Sequence, residues 1–427
     1  VGRITSRLTN VYKKHGFVGF FKKISAYVRA NYLDKVSFKV LFCGKKYRKE
    51  IASALEEGFD RIILFRNSFG YGADMFQRPQ HIAGSLSKAG CLVFYEVTSV
   101  SDKVKTLKKQ DDRLYLFNFN NVRLHKILMS ELGKLSCPKY VQVCSTDWKL
   151  SADDMENYKK RGFGIVYEYI DHLAPELFGT RELAKSVAEK YDYSMSHKDV
   201  SVVVTARELL RDVESMRGKE NLVLAGNGVD QAFFKDFDPS FTLEKEFSDV
   251  INNGKINVCY YGALASWFDY DLIKKIGATG KYNVILFGIK FDASYDENMR
   301  GAEGVYYFGR KDYRELKYYA KECDILTIPF IINEVTQATS PLKLYEYMAL
   351  EKPIVTTDMN ECLDCGVVFT AADHDGFIKR LEEAYAARQD EGYLARLRDE
   401  AKKNDWSEKA KLIVDILTEN ERGGDPK

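Results

Sequence analysis

Two series of short apolar runs, each run rich in β-branched and aromatic residues and each separated from the next by a stretch of helical spacing, constrain this chain most. The first series holds FKVLF (38–42), RIILFR (61–66), CLVFYEV (91–97), RLYLFNF (113–119), KYVQVC (139–144), GIVYEYI (164–170), SVVVTA (201–206) and NLVLAG (221–226), with helical spacing over 77–89, 122–135 and 181–195. The second holds INVCYYG (256–262), YNVILFG (282–288), GVYYFG (304–309), DILTIP (324–329), PIVTT (353–357) and GVVFT (366–370), with helical spacing over 269–277, 312–321, 341–350, 374–388 and 392–403. Runs apolar on both faces need a cover on both faces, and the intervening helices supply it, so the pattern predicts α/β architecture with largely parallel sheets. The acidic, turn-rich stretch DFDPSFTLEKEFSDVINNGK parts the two series. We read a basic amphipathic segment over 1–35, one α/β domain over 36–228, a second over 229–404, and a terminal helix over 405–427 that returns across the hinge.

Composition narrows the function classes. With 45% hydrophobic and 13% aromatic residues and only 8 prolines in 427 residues, the chain can fill cores and is not a disordered one. Its 64 basic and 62 acidic side chains leave a net charge of +2, which argues against a nucleic-acid partner, so any anion site must be local. The eight cysteines (43, 91, 137, 144, 259, 323, 362 and 365) sit mostly in apolar runs, the usage of buried thiols in a reducing compartment. Cys362 and Cys365 form one CxxC with no second pair at zinc spacing, and a zinc or redox role is weaker than a structural one. No apolar run reaches the length of a membrane span, and no secretory leader is evident, which predicts a cytoplasmic protein. The first 35 residues carry Arg3, Arg7, Lys13, Lys14, Lys22, Lys23, Arg29 and Lys35 against Asp34, interleaved with an apolar stripe. Contact with the anionic cytoplasmic face of a membrane and packing on the chain's own domain both fit that pattern.

Ligands of parallel sheets bind beyond the C-terminal ends of strands, so the informative residues follow the runs. In TSPLKLYEYMALEKPIVTT, Ser340 is placed to cap, Pro341 to open a helix, and the first-turn amides with Lys343 to receive a phosphate. Glu346 lies three residues further along the same face, placed to accept from ribose hydroxyls; a plain capped helix has the same spacing. In NSFGYGADMFQRPQHIAGSLSKAG, Gln77, Arg78, Gln80 and His81 are donors for sugar hydroxyls or a lipid phosphate, or else helix caps, and the loop lacks the GxxxxGK[ST] pattern. Asp171 and His172 leave the run GIVYEYI, where a carboxylate and an imidazole can take a proton or orient a hydroxyl, with a local loop cap as the alternative.

SPLKLYEYMALEKPIVTT resembles the nucleotide-sugar segment of GT-B glycosyltransferases, particularly the retaining family 4 group and the bacterial enzymes of teichuronic-acid and cell-surface polysaccharide synthesis. FQRPQHIAGSL (76–86), GNGVDQAFF (226–234), NVCYYGALASWFDYDLI (257–273) and YYFGRKDYRELKYYAKECDILTIPF (306–330) follow in the matching order. The resemblance implies two Rossmann-like domains facing across a cleft. It implies Glu346 at the donor ribose and Ser340, Pro341 and Leu342 at the phosphate-facing turn. Gly262, Ala263 and Leu264 would approach the donor phosphates, Gly309, Arg310 and Tyr313 would stand beside the base, and Trp267 and Asp269 would shape the sugar pocket or close a helix start. Asn227 and Gly228 match a hinge turn. Ala338 stands where many relatives have the first of two glutamates, and Glu351 where they have glycine.

The implied activity is sugar transfer, with retention, from a nucleotide sugar to a cell-surface polysaccharide or lipid-linked glycan precursor, with no required metal or other cofactor. Asp171 and His172 are the candidates for the chemistry, and Gln77, Arg78, Gln80 and His81 for the acceptor. Two alternatives stand beside it: an inactive GT-B protein of carbohydrate binding or membrane assembly, and a nucleotide-sugar epimerase or hydrolase.

Overall fold

A computed structural model describes residues 44–73, 76–97, 102–174 and 182–423. The basic segment at 1–35, the run FKVLF and Cys43 lie outside the described residues. Fourteen strands are described: β1 (Arg61–Arg66), β2 (Cys91–Glu96), β3 (Leu107–Asp111), β4 (Leu114–Phe117), β5 (Lys139–Cys144), β6 (Gly164–Tyr169), β7 (Ser201–Val204), β8 (Leu222–Leu224), β9 (Ile256–Tyr261), β10 (Tyr282–Phe287), β11 (Val305–Tyr307), β12 (Ile325–Ile328), β13 (Ile354–Thr357) and β14 (Phe369–Ala371).

They form two sheets, β3-β4-β2-β1-β5-β6-β7-β8 and β11-β10-β9-β12-β13-β14. Every pair in the second sheet is parallel, and its order, counted from β9, is the 3-2-1-4-5-6 of a doubly wound Rossmann sheet. Burial explains the order. The central strands β1, β2, β9, β10 and β12 are buried along nearly their whole length, whereas β8 and β11, at sheet edges, are only half-buried. β3 departs from parallel pairing. Its sequence LKKQD is mostly exposed and pairs antiparallel with β4, and lysines on such a rim discourage edge-to-edge association.

By its packing the chain falls into two compact units, Val1–Ala73 with Ala83–Val166, and Asp74–Ile82 with Tyr167–Lys427. In the second unit a single apolar core joins β9, β10, β12 and β13 to the flanking helices, with Phe247, Tyr260, Phe287 and Tyr347 among its largest members. The helix Trp406–Gly423 packs on β7 and β8, where Asn420 Nδ2 donates to Ser201 Oγ at 2.9 Å. Its entry is fixed by backbone bonds between Val229 and residues 404–406, an approach close enough that a β-carbon at Gly228 would stand 2.4 Å from the Asn404 carbonyl oxygen.

Candidate functional site

The strand order of the second sheet reverses between β9 and β12, and the chain leaving β9 there is Gly262-Ala263-Leu264. Gly262 has φ of 154°, and a β-carbon on it would stand 2.9 Å from Lys343 Cε and 3.1 Å from Nζ, so the missing side chain is what admits the lysine. Gly288, leaving β10, is closer still: a β-carbon there would overlap the Gly262 carbonyl at 1.7 Å. The Leu264 amide is bonded to Ile289, while the Ala263 amide makes no hydrogen bond among the described residues.

Lys343 stands in the first turn of the helix Leu342–Ala349, its ammonium 5.3 Å above the Tyr260 ring and 5.0 Å above that of Phe330. Desolvation by these surroundings pushes its pKa down to about 8, and nearby Glu346 pulls it back. The helix begins differently from expectation. Its cap position is Pro341, and no side chain caps it, because Ser340 is turned away. Ser340 Oγ accepts from the Asn227 amide at 3.2 Å and donates to Glu361 Oε1 at 3.2 Å. Among the described residues the amides of Leu342 and Lys343 are thereby left without hydrogen bonds at the positive end of the helix dipole.

One turn on, Glu346 is 2% exposed and its Oε1 has no hydrogen-bond partner. Burial raises its pKa, against the pull of the Tyr261 and Tyr313 hydroxyls and of Lys343. Tyr261 Oη is buried and faces this carboxylate, but among the described residues it has no partner within hydrogen-bonding distance. A buried carboxylate with an unused oxygen is expensive unless something arrives to bond it. Tyr313 is held between Phe233, whose centroid is 5.2 Å away, and Phe76 at 5.7 Å, both stacked. Gly309, with φ of 72° and nothing near its α-carbon face, leads to exposed Arg310. The fold therefore gathers Gly262, Ala263, Lys343, Glu346 and Tyr313 around one strand exit, and adds Tyr261, which the sequence did not single out. As the last residue of an apolar run, it looked like core.

Other sequence candidates have structural partners. Asp269 caps the helix Tyr270–Ala278 through Leu272 and sets its other oxygen 2.9 Å from His374 Nε2. Trp267 accepts from the Ile331 amide and leans on Phe291 with centroids 5.6 Å apart, and Leu264 is fully buried. Ala338 is buried at the end of the short helix Glu334–Gln337, while Glu334 points to solvent, so no carboxylate stands eight residues before Glu346.

Gln77, Arg78, Gln80 and His81 lie at the start of the helix Arg78–Lys88. The Arg78 guanidinium is 3% exposed, donates to Glu168 at 3.2 and 3.4 Å, and reaches the Gly226 carbonyl at 2.8 Å. Gln80 Oε1 caps the Gln77 amide. His81 stacks on Trp406 at 4.9 Å, and burial lowers its pKa to about 3, which keeps it neutral. Asp171 follows β6, and its pKa rises to about 6 through desolvation, with Arg78 opposing. His172 sits one residue on, partly buried. Among the described residues, no group of three or more His, Cys, Asp or Glu side chains is gathered as for a metal ion. Burial raises the Cys362 thiol well above its ordinary pKa and that of Cys365 to about 11, the setting of inert thiols.

Solved structures share this fold. Sucrose-phosphate synthase from Thermosynechococcus elongatus aligns with a TM-score of 0.60 at 11% identity, over 86% of this chain and 100% of that one. HepE from Anabaena, solved in complex with UDP, aligns with a TM-score of 0.57 at 12% identity, over 84% and 100%. The chain has the GT-B fold of glycosyltransferases. Residues 265–387 match the family described as Glycosyl transferases group 1. A curated relative, "Putative teichuronic acid biosynthesis glycosyltransferase TuaH" of Bacillus subtilis (strain 168), is 23% identical over 261 residues, which are 57% of this chain and 64% of that protein's length. Fold, family match and relative together make the chain similar to the GT-B glycosyltransferases.

Proposed function

We propose that this chain transfers a glycosyl group from a nucleotide sugar to a cell-surface polysaccharide or lipid-linked glycan precursor, with retention of configuration and without a required metal. The observation that carries the donor assignment is the pairing of Lys343 and Gly262 with the unbonded Glu346 carboxylate at one strand exit. The ammonium and the free amides of Ala263, Leu342 and Lys343 suit a diphosphate whose charge grows as the glycosidic bond breaks. The unused oxygen of Glu346 suits a ribose hydroxyl. Asp171, with its pKa near 6, is ionised at neutral pH and suits the relief of charge on the acceptor hydroxyl, with His172 beside it. That HepE was solved with UDP and that the Bacillus relative is named for teichuronic acid synthesis favour a nucleotide donor and an envelope glycan.

Saturation-transfer NMR against UDP-, GDP-, CDP- and dTDP-sugars, first in EDTA and then with magnesium, tests the reading. Selective saturation of one nucleotide sugar in EDTA is expected; no donor bound in either condition overturns it, and binding only after magnesium overturns metal independence.

The same titration has a pH signature. Lys343 carries its charge below about pH 8, so donor affinity is expected to fall as pH rises from 7 to 9. In Lys343→Arg the guanidinium stays charged, and the fall should vanish. Calorimetric dissociation constants measured across that range check it.

A further inference from the structure

The first unit holds a polar cavity that the donor site does not use. It encloses about 420 Å³ and is lined by Arg66, His125, Lys149, Leu150, Asp154, Asn157, Tyr158 and Arg161. It lies where the strand order of the first sheet reverses, since Arg66 ends β1 and Lys149 and Leu150 follow its neighbour β5.

Its charges balance, but its hydrogen-bond donors are not all spent. Arg66 Nε donates to Glu96 at 2.9 Å and Nη1 to the Tyr158 hydroxyl at 2.5 Å, which leaves Nη2 without a partner among the described residues. The Arg66 guanidinium is also clamped 4.4 Å over the Phe119 ring, with its side chain 15% exposed, so its direction is set before any ligand arrives. Lys149 reaches the other oxygen of Glu96 at 3.7 Å. Asp154 is taken up by the cap of its own helix, where Oδ2 accepts from the Ser151 amide and hydroxyl. Arg161, exposed at the rim, makes no ion pair among the described residues. Three cations thus stand against three carboxylates, Glu96, Asp154 and the buried Asp147 whose charge also acts on Arg66, and what is left over is donor capacity, on Arg66 Nη2 and on the Arg161 guanidinium.

The rest of the wall suits hydroxyls. His125 is held neutral, its pKa lowered to about 4 by burial and by Arg66 and Arg161; its Nε2 stands 3.5 Å from the Tyr158 hydroxyl, which leaves Nδ1 as the ring nitrogen for a ligand. Asn157 and Tyr158 add further polar groups. The volume accommodates a single sugar with an anionic substituent.

We propose that this cavity binds the phosphate of a sugar-phosphate-sized ligand, with Arg66, Lys149 and Arg161 on the phosphate and His125, Asn157 and Tyr158 on the hydroxyls. The assignment stands apart from the donor reading, since none of these residues belongs to the second unit. The test is titration calorimetry of the full chain with glucose 1-phosphate and with inorganic phosphate. It is run in a Lys343→Gln background, which weakens anion binding at the other unit. Glucose 1-phosphate is expected to bind more tightly than inorganic phosphate, and Lys149→Gln with Arg161→Gln to weaken it at least tenfold. Both are surface substitutions that leave the Arg66–Glu96 bond in place. No binding of either ligand, or binding unmoved by the double substitution, overturns the site. Equal affinity for the two ligands overturns the sugar-phosphate class.

Discussion

Glu346→Gln is expected to lower kcat/KM for the nucleotide sugar by about 100-fold, and Lys343→Ala by a similar factor, each about 2.7 kcal/mol of transition-state stabilisation. The amide of glutamine keeps the shape of the side chain but loses the charge, and with it the strong bond to a ribose hydroxyl. Loss of the ammonium leaves the developing diphosphate charge to the helix amides alone. The stabilities should part company with the activities. Because Glu346 is buried with one oxygen unbonded, removing its charge relieves a desolvation cost, so Glu346→Gln should unfold at an equal or higher denaturant concentration than the native chain. Steady-state kinetics beside urea melts reads both; native kcat/KM in the two variants would sink the donor assignment, and a less stable Glu346→Gln would show that the carboxylate is structural. The two side chains share a turn and a ligand, so the double variant should lose less than the product of the single losses.

Arg78→Met should destabilise the second unit by about 3–5 kcal/mol, because it strands Glu168, fully buried, without its counter-charge and deprives the Gly226 carbonyl of its donor. Adding Glu168→Leu removes the stranded charge and should recover most of the loss. Urea unfolding of the single and double variants measures both. A single variant within 1 kcal/mol of native would mean that the pair is not buried in solution. Donor binding by the folded Arg78→Met chain is expected to be unchanged, since Arg78 bonds Gly226 and Asn227 and makes no bond to Lys343 or Glu346.

The strands were legible wherever a run is apolar on both faces, since such a run has one stable setting, the inside of a parallel sheet. β3 was not read, because LKKQD is polar and exposed and takes its strand form only from the edge of β4. The helices Gly44–Leu55, Ala152–Lys159 and Arg207–Arg217 also went unread, although Ser151 and Asp154 form a capping box that signals the second of them. The chemistry of single side chains was less legible. Ser340 has the composition of a cap and serves instead as a tie between Asn227 and Glu361, residues 113 and 21 positions away.

By itself the sequence determined the two α/β series, the placement of Lys343 and Glu346 on one helix face, and the glycine at the exit of β9. These follow from local periodicity and from conformations that only certain residues adopt. Tertiary structure decided which polar groups remain unspent. Arg78, Asp269 and Ser340 find partners far along the chain and become scaffold, while Glu346, Tyr261 and Arg161 are left with hydrogen-bonding capacity in hand. Spacing along the chain cannot report that difference, because a polar group's availability depends on which distant atoms the fold sets against it.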